Sequence, residues 1–129
     1  VSLLTTMAGD QRSVPLKIES YSFGKITISR HTYSSDVIIY PDHVDPSWWR
    51  EEGHRLSVMD LEMVLDAKPE VLIIGTGYLG ALRVPEETQN VLREKGIAVI
   101  IERTGKAVEL FNNLQKKERT VVAALHLTC

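Results

Sequence analysis

The chain has 129 residues, a length typical of one domain, and 43% of them are hydrophobic, which suffices for one ordinary core. Fifteen lysine and arginine residues against seventeen aspartate and glutamate residues give a formal net charge of −2, without a basic block that would neutralise a phosphate backbone. A nucleic-acid partner is therefore not expected, and neither is a membrane helix, because no apolar stretch approaches the ~20 residues that such a helix needs.

The start of the chain is predicted to differ from the rest. Residues 1–14 are expected to form a flexible N-terminal tail, and residues 15–129 are expected to form a single α/β domain. Cys129 is the only cysteine and cannot form an internal disulfide. This favours a reducing compartment, and we expect a cytoplasmic protein.

Short strands are predicted first along the domain. Residues 16–29 alternate apolar and polar side chains around a glycine, which is typical of a β-hairpin. Residues 35–40 indicate a third strand, since three β-branched residues follow one another there and Pro41 removes the amide needed to extend it. Residues 41–56 have no helical or strand period and are predicted to be one long irregular segment, a kind of loop that is often functional.

Helices and buried strands are predicted to alternate in the second half. Ser57 and Asp60 form a capping box ahead of apolar positions at helical spacing, and Pro69 ends that helix. The apolar run at residues 71–75 predicts a strand covered on both faces. The remaining pattern predicts a helix over residues 85–95, a buried strand over residues 97–101, a third helix from Thr104 and a closing strand over residues 120–128.

Gly75, Thr76 and Gly77 begin a G-x-G-x-x-G sequence directly after a predicted strand. This motif binds dinucleotides when its glycines open into a helix whose amides face a pyrophosphate. Here the helix begins late, at Pro85, and two glutamates follow where the phosphate would lie, so no cofactor is expected. One interpretation is a plain tight turn, and the other is a nest of amides over residues 75–77 that holds a small anion or carboxylate.

His126 and Cys129 are the two candidate metal ligands near the end of the chain. An offset of three residues on an extended strand sends the side chains to opposite faces, about 10 Å apart along the chain. No metal site is therefore predicted. His126 is interpreted as a hydrogen-bonded core or strand-end histidine.

The main functional candidate is the segment of residues 48–55, with the sequence WWREEGHR. Arg50 is suited to clamp a carboxylate or phosphate, His54 to move protons near neutral pH, and Trp49 to form the wall of a pocket. Alternatively, the indoles cover a sheet face while the charges stay solvated. A third interpretation is a partner-binding surface, because tryptophan and arginine are favoured anchors at interfaces.

A set of residues spread over about residues 17–129 carries a family resemblance. The set comprises Asp36-Val37, Tyr40-Pro41, Trp49-Arg50-Glu51, His54, Ile74-Gly75-Thr76-Gly77, Val84-Pro85, Gly96-Ile97, Thr104, Ala107-Val108, Asn112 and His126-Leu127-Thr128-Cys129. In order and spacing it is similar to a family of small proteins of unknown function that includes the human adipogenesis-associated domain-containing protein and a mitochondrial assembly factor for NADH dehydrogenase. The resemblance implies a three-layer α/β fold with a mixed central sheet, about three helices and an N-terminal β-hairpin.

Two functions are expected from these observations. The first, which the resemblance favours over catalysis, is an intracellular binding or assembly module without established catalytic activity, whose partner is another protein or a second copy of the chain. The alternative is a small-anion-binding enzyme or sensor, in which the turn at residues 75–77 and Arg50 hold the anion and His54 acts on it. The ligand-binding candidates are Trp49, Arg50, His54, Gly75, Thr76 and Gly77, and no residue is assigned as catalytic.

Overall fold

A computed structural model describes residues 16–117 and 120–129, so the predicted tail at residues 1–14 lies outside the described residues. The strands are β1 (Ile18–Ser22), β2 (Lys25–Ile28), β3 (His31–Tyr33), β4 (Val37–Ile39), β5 (Val44–Asp45), β6 (Val71–Gly75), β7 (Ala98–Glu102) and β8 (Val121–Leu125). The helices are α1 (Glu62–Ala67), α2 (Glu86–Glu94) and α3 (Thr104–Gln115), and a 3₁₀ turn over Val58–Leu61 precedes α1. None of these helices is long and apolar enough to cross a membrane.

The strands form two sheets. The larger sheet has the order β5-β4-β8-β6-β7, in which β6 runs parallel to both neighbours and β4 runs antiparallel to both of its own. The smaller sheet is antiparallel and has the order β1-β2-β3. The predicted α/β fold with a mixed central sheet, three helices and an N-terminal hairpin is confirmed.

Two apolar clusters fill the two faces of the larger sheet and make the structure three-layered. On one face, Ile73 packs in a cluster with Phe111 of α3 and Ile26 of the smaller sheet. On the other face, the neighbouring residue Leu72 packs with Leu92 of α2. Successive side chains of β6 thus alternate between the two cores, and all five residues of this strand are buried, as the apolar run predicted.

Two predictions about individual elements were wrong. The strand predicted to be buried over residues 97–101 is β7, an edge strand whose central residues are only half-buried. Its apolar side chains pack on both cores, but an apolar pattern reveals covered faces and not the number of neighbouring strands. The segment of residues 41–56 is not wholly irregular, because it contains β5, which is too short to produce a periodic pattern.

The topology brings three chain segments together at the edge of the larger sheet where the carboxyl ends of β6 and β8 lie. Leu125 at the end of β8 lies beside both Gly75 at the end of β6 and Val37 at the start of the antiparallel strand β4. The residues just outside these ends, Asp36 and His126 among them, are therefore neighbours in space. The segment of residues 48–55 packs over this edge, where the Trp48 amide donates a hydrogen bond to the Asp36 carbonyl at 2.9 Å.

Candidate functional site

Asp36, Arg50 and His126 form a buried polar cluster at this edge. The Oδ2 atom of Asp36 lies 2.8 Å from Nδ1 of His126 and 2.9 Å from Nη2 of Arg50. The Oδ1 atom of Asp36 accepts a hydrogen bond from the Leu127 amide at 2.8 Å. The side chains of Arg50 and His126 are only 5% and 6% exposed, so the carboxylate neutralises a guanidinium that has little access to water.

The protonation of the cluster follows from these contacts. Burial by itself raises the pKa of Asp36, but hydrogen bonds from His126, the Leu127 amide and Arg50 outweigh burial, and the pKa lies below its ordinary value. An ionised carboxylate only accepts hydrogen bonds, so the hydrogen-bond pattern assigns the imidazole proton of His126 to Nδ1. The Nη2 atom of Arg50 lies 3.1 Å from the same nitrogen, but a protonated Nδ1 cannot accept a hydrogen bond, so Nη2 donates to Asp36.

Arg50 also shapes its own segment. Its Nε and Nη2 atoms donate to the carbonyl of Gly53 at 3.2 and 2.9 Å, and its guanidinium carbon lies 4.6 Å from the centre of the Trp48 ring. The His54 ring lies edge-on to the His126 ring, with the ring centres 5.5 Å apart. Two buried nitrogens of this group, Nη1 of Arg50 and Nε2 of His126, have no hydrogen-bond partner among the described residues.

The turn at residues 75–77 lies at the same edge and contacts the cluster through the backbone. The His126 amide donates to the Gly75 carbonyl at 3.0 Å. The amides of Thr76 and Gly77 donate to the Glu102 carbonyl and to Oγ1 of Thr104, both at 2.9 Å. These are two of the amides that the nest interpretation assigns to an anion, and both already have partners within the protein.

His126 and Cys129 diverge at the end of the chain. His126 lies just past β8 and is buried and hydrogen-bonded to Asp36, in agreement with its interpretation as a strand-end histidine, whereas Cys129 is exposed. Within residues 16–117 and 120–129, no group of three or more His, Cys, Asp and Glu side chains is arranged to hold a metal ion.

The two neighbouring tryptophans have opposite environments. Trp48 is 7% exposed, belongs to the core against α1 and α2, and donates its indole hydrogen to the Asp60 carbonyl at 3.1 Å. Trp49 is 75% exposed. The interpretation that the indoles cover a sheet face therefore holds for Trp48 only, and Trp49 is available to a binding partner.

Trp49 lines a surface cleft of about 400 Å³ together with Met59 and Met63, and we call this the Trp49 cleft. Met59 and Met63 are 74% and 67% exposed. Met59 belongs to the 3₁₀ turn and Met63 to α1, and both side chains line the same cleft. The exposure of both methionines is consistent with the sequence pattern, because neither occupies one of the inward-facing positions Leu61 and Val64.

Comparison with known proteins gives a family, and the similar proteins include one that is named as an assembly factor. A family model described as "Protein of unknown function (DUF498/DUF598)" matches residues 18–126. The protein "NADH dehydrogenase [ubiquinone] 1 alpha subcomplex assembly factor 3" from Danio rerio is 32% identical over 111 residues, which cover 84% of this chain and 62% of that protein. The chain thus spans about three fifths of the length of this relative.

The similar solved structures include two that match over almost their full length. A conserved hypothetical protein from Pyrococcus horikoshii OT3 is 28% identical with a TM-score of 0.75, and the match covers 88% of this chain and 99% of the other. A protein from Bartonella henselae described as an outer membrane protein is 29% identical with a TM-score of 0.77, and the match covers 91% of this chain and 98% of the other.

Proposed function

The chain belongs to the DUF498/DUF598 family of proteins of unknown function, and from that premise we propose that it is a non-enzymatic module that binds another protein during the assembly of a complex. The Danio rerio relative, which is named as an assembly factor, supports this proposal.

The exposed apolar surface of the Trp49 cleft is the observation that carries the proposal. Single exposed apolar side chains are ordinary, but a contiguous group around a concavity is typical of an interaction site. Tryptophan and methionine are both enriched at protein interfaces. Trp49 also stands between two anchored residues, since Trp48 is buried in the core and the side chain of Arg50 is held by Asp36 and Gly53. Its backbone is therefore fixed before binding, which lowers the entropic cost of association.

Site-specific photo-crosslinking tests the proposal. A photoreactive amino acid replaces Met59, which is exposed at the cleft, and in a matched control it replaces Glu109, which is exposed on α3. We expect a discrete cross-linked partner from position 59 in intact cells and its loss when Trp49→Ala is added. Cross-links between two copies of the chain would identify a homo-oligomer. The same products from both positions would contradict the proposal.

A small-anion site at Arg50 and His54 is the second candidate function, as an enzyme or sensor, without the amides of Thr76 and Gly77, which already have partners. It is favoured by the buried Nη1 atom of Arg50, which has no hydrogen-bond partner in the described part of the chain. A guanidinium nitrogen with a free donor is suited to a phosphate or carboxylate oxygen. Titration with inorganic phosphate and with acetate, followed by the NMR signals of the His54 and His126 rings, tests this. Unchanged signals at millimolar anion would contradict it.

We propose the cytoplasm as the compartment in which the protein acts. The single, exposed Cys129 supports a reducing environment, since it has no cysteine to pair with. Cell fractionation followed by detection of the protein is the test, and its recovery with a membrane or organelle fraction would contradict this proposal.

A further inference from the structure

The side chains around the Trp49 cleft are strongly acidic. Asp45, Glu51, Asp60 and Glu62 line the cleft. An adjoining cleft of about 540 Å³ shares Asp45 and Met63 with it and adds Asp66. No lysine or arginine lines either cleft within the described residues. Because the whole chain has 15 basic and 17 acidic residues, this is a local concentration of negative charge on a nearly balanced protein.

Among residues 16–117 and 120–129, no ion pair neutralises the carboxylates that line the two clefts. The Asp60 carboxylate accepts hydrogen bonds from the amides of Ser57 and Glu51, and the Asp45 carboxylate accepts one from the Ser47 amide. These donors are uncharged, so they orient the carboxylates without cancelling their charge. The nearby cation Arg50 is already paired with Asp36 on the buried side of the segment.

We propose that the partner docks on the Trp49 cleft through an amphipathic helix that carries lysine or arginine beside its apolar face. This inference rests on the protein-binding function proposed above and names the chemistry of the partner. The apolar floor formed by Trp49, Met59 and Met63 takes the apolar face of the helix, and methionine side chains adapt to such a surface. The acidic rim pairs with the flanking cations and steers their approach.

The shape of the site favours a helix over an added strand. Strand addition needs a free strand edge, and the sheet edge beside the cleft is β5, which has only two residues and is followed by Pro46. The cleft and its neighbour instead lie along the 3₁₀ turn, which contributes Met59, and α1, which contributes Met63. A polyanion such as a nucleic acid is repelled by the same rim.

Two synthetic peptides of about 18 residues, long enough for several helical turns, test the inference by fluorescence anisotropy. One repeats leucine and lysine at amphipathic helical spacing, and the other replaces each lysine with glutamate. We expect only the lysine peptide to bind the full chain, with a dissociation constant that rises with salt.

Glu51→Lys with Glu62→Lys should weaken binding about tenfold or more. The matched control, Glu102→Lys with Glu109→Lys, changes the net charge equally at exposed positions away from the cleft and should leave binding within about twofold.

Specific outcomes overturn the inference. Equal weakening by both double variants would show general attraction to an acidic protein, and equal binding of the two peptides would remove the role of charge. The photo-crosslinking experiment separates this inference from the proposed function. A partner captured at Met59 through an acidic or extended segment would support a protein-binding module while contradicting the basic helix, whereas capture at neither Met59 nor the control would contradict the module itself.

Discussion

The Nδ1 atom of His126 lies 2.8 Å from the Asp36 carboxylate and joins the residue after β8 to the residue before β4 across 90 positions of sequence. The same carboxylate pairs with Arg50, so the Asp36 side chain contacts both the end of β8 and the segment of residues 48–55, which contributes Trp49 to the cleft. The stability of this cluster and the presentation of the cleft are therefore linked.

Asp36→Asn is expected to lower the free energy of unfolding by about 3 kcal/mol, because it leaves the buried guanidinium of Arg50 without a counter-ion. Urea unfolding monitored by circular dichroism measures the change. Asp42→Asn is the matched control, since the Asp42 side chain is exposed and its carboxylate pairs with the neighbouring, exposed His43, and it should be indistinguishable from wild type. Equal effects of the two substitutions would contradict a stabilising role for the cluster.

The stability of the wild type is expected to fall in acid partly through Asp36. Its pKa is lowered in the folded protein, so the unfolded chain binds the proton more readily. The contribution of Asp36 is thus present above the ordinary aspartate pKa of ~3.9 and is lost as the pH falls through the lower pKa of the folded state. The difference in unfolding free energy between wild type and Asp36→Asn should narrow below about pH 4. A difference that stays constant from neutral pH into that range would contradict the assignment.

The two tryptophans are expected to respond oppositely to substitution. Trp48→Ala should cost about 3–5 kcal/mol, because it empties a core position and leaves the Asp60 carbonyl without its donor. Trp49→Ala should change stability by less than about 0.5 kcal/mol, since that side chain is 75% exposed. Urea midpoints of the two variants measure this, and Trp48→Phe replaces Trp48→Ala if the latter does not fold. A large loss of stability in Trp49→Ala would contradict the prediction, because it would show that the Trp49 side chain contributes to the packing of the folded chain.

The fold follows from the sequence where a pattern is long or well bounded. The apolar run of β6 and the helix that begins after Pro85 have clear limits, and both appear where expected. β5 and β3 have two and three residues, which is too few for a period, and they exist because neighbouring strands offer hydrogen bonds. Local sequence does not contain that information.

The candidate site shows the same division between local and distant information. The segment of residues 48–55 is recognisable from its composition. The sequence does not indicate which of its two tryptophans is buried, and only the tertiary structure shows that Trp48 belongs to the core and Trp49 to the surface. The pairing of Asp36 with His126 depends on β4 lying antiparallel to β8, a contact 90 residues distant in sequence. The spacing of residues in a single sequence does not predict such a pair.

Gly77→Ala is expected to destabilise the protein by more than about 1 kcal/mol, because the residue has a φ of +108° and a Cβ there would lie 2.5 Å from the backbone carbon of Cys129. The positive φ is unfavourable for alanine, and the Cβ atom would also clash with the backbone of Cys129. Rotation of a side chain relieves neither effect. Gly105→Ala is the matched control within α3: it meets nothing within 4 Å and should stabilise the protein by about 0.5 kcal/mol through helix propensity. Thermal and urea unfolding of both variants measure the contrast. If Gly77→Ala were as stable as the wild type, the close approach of the chain end to the turn at residues 75–77 would be wrong, and with it the tight-turn explanation of this glycine.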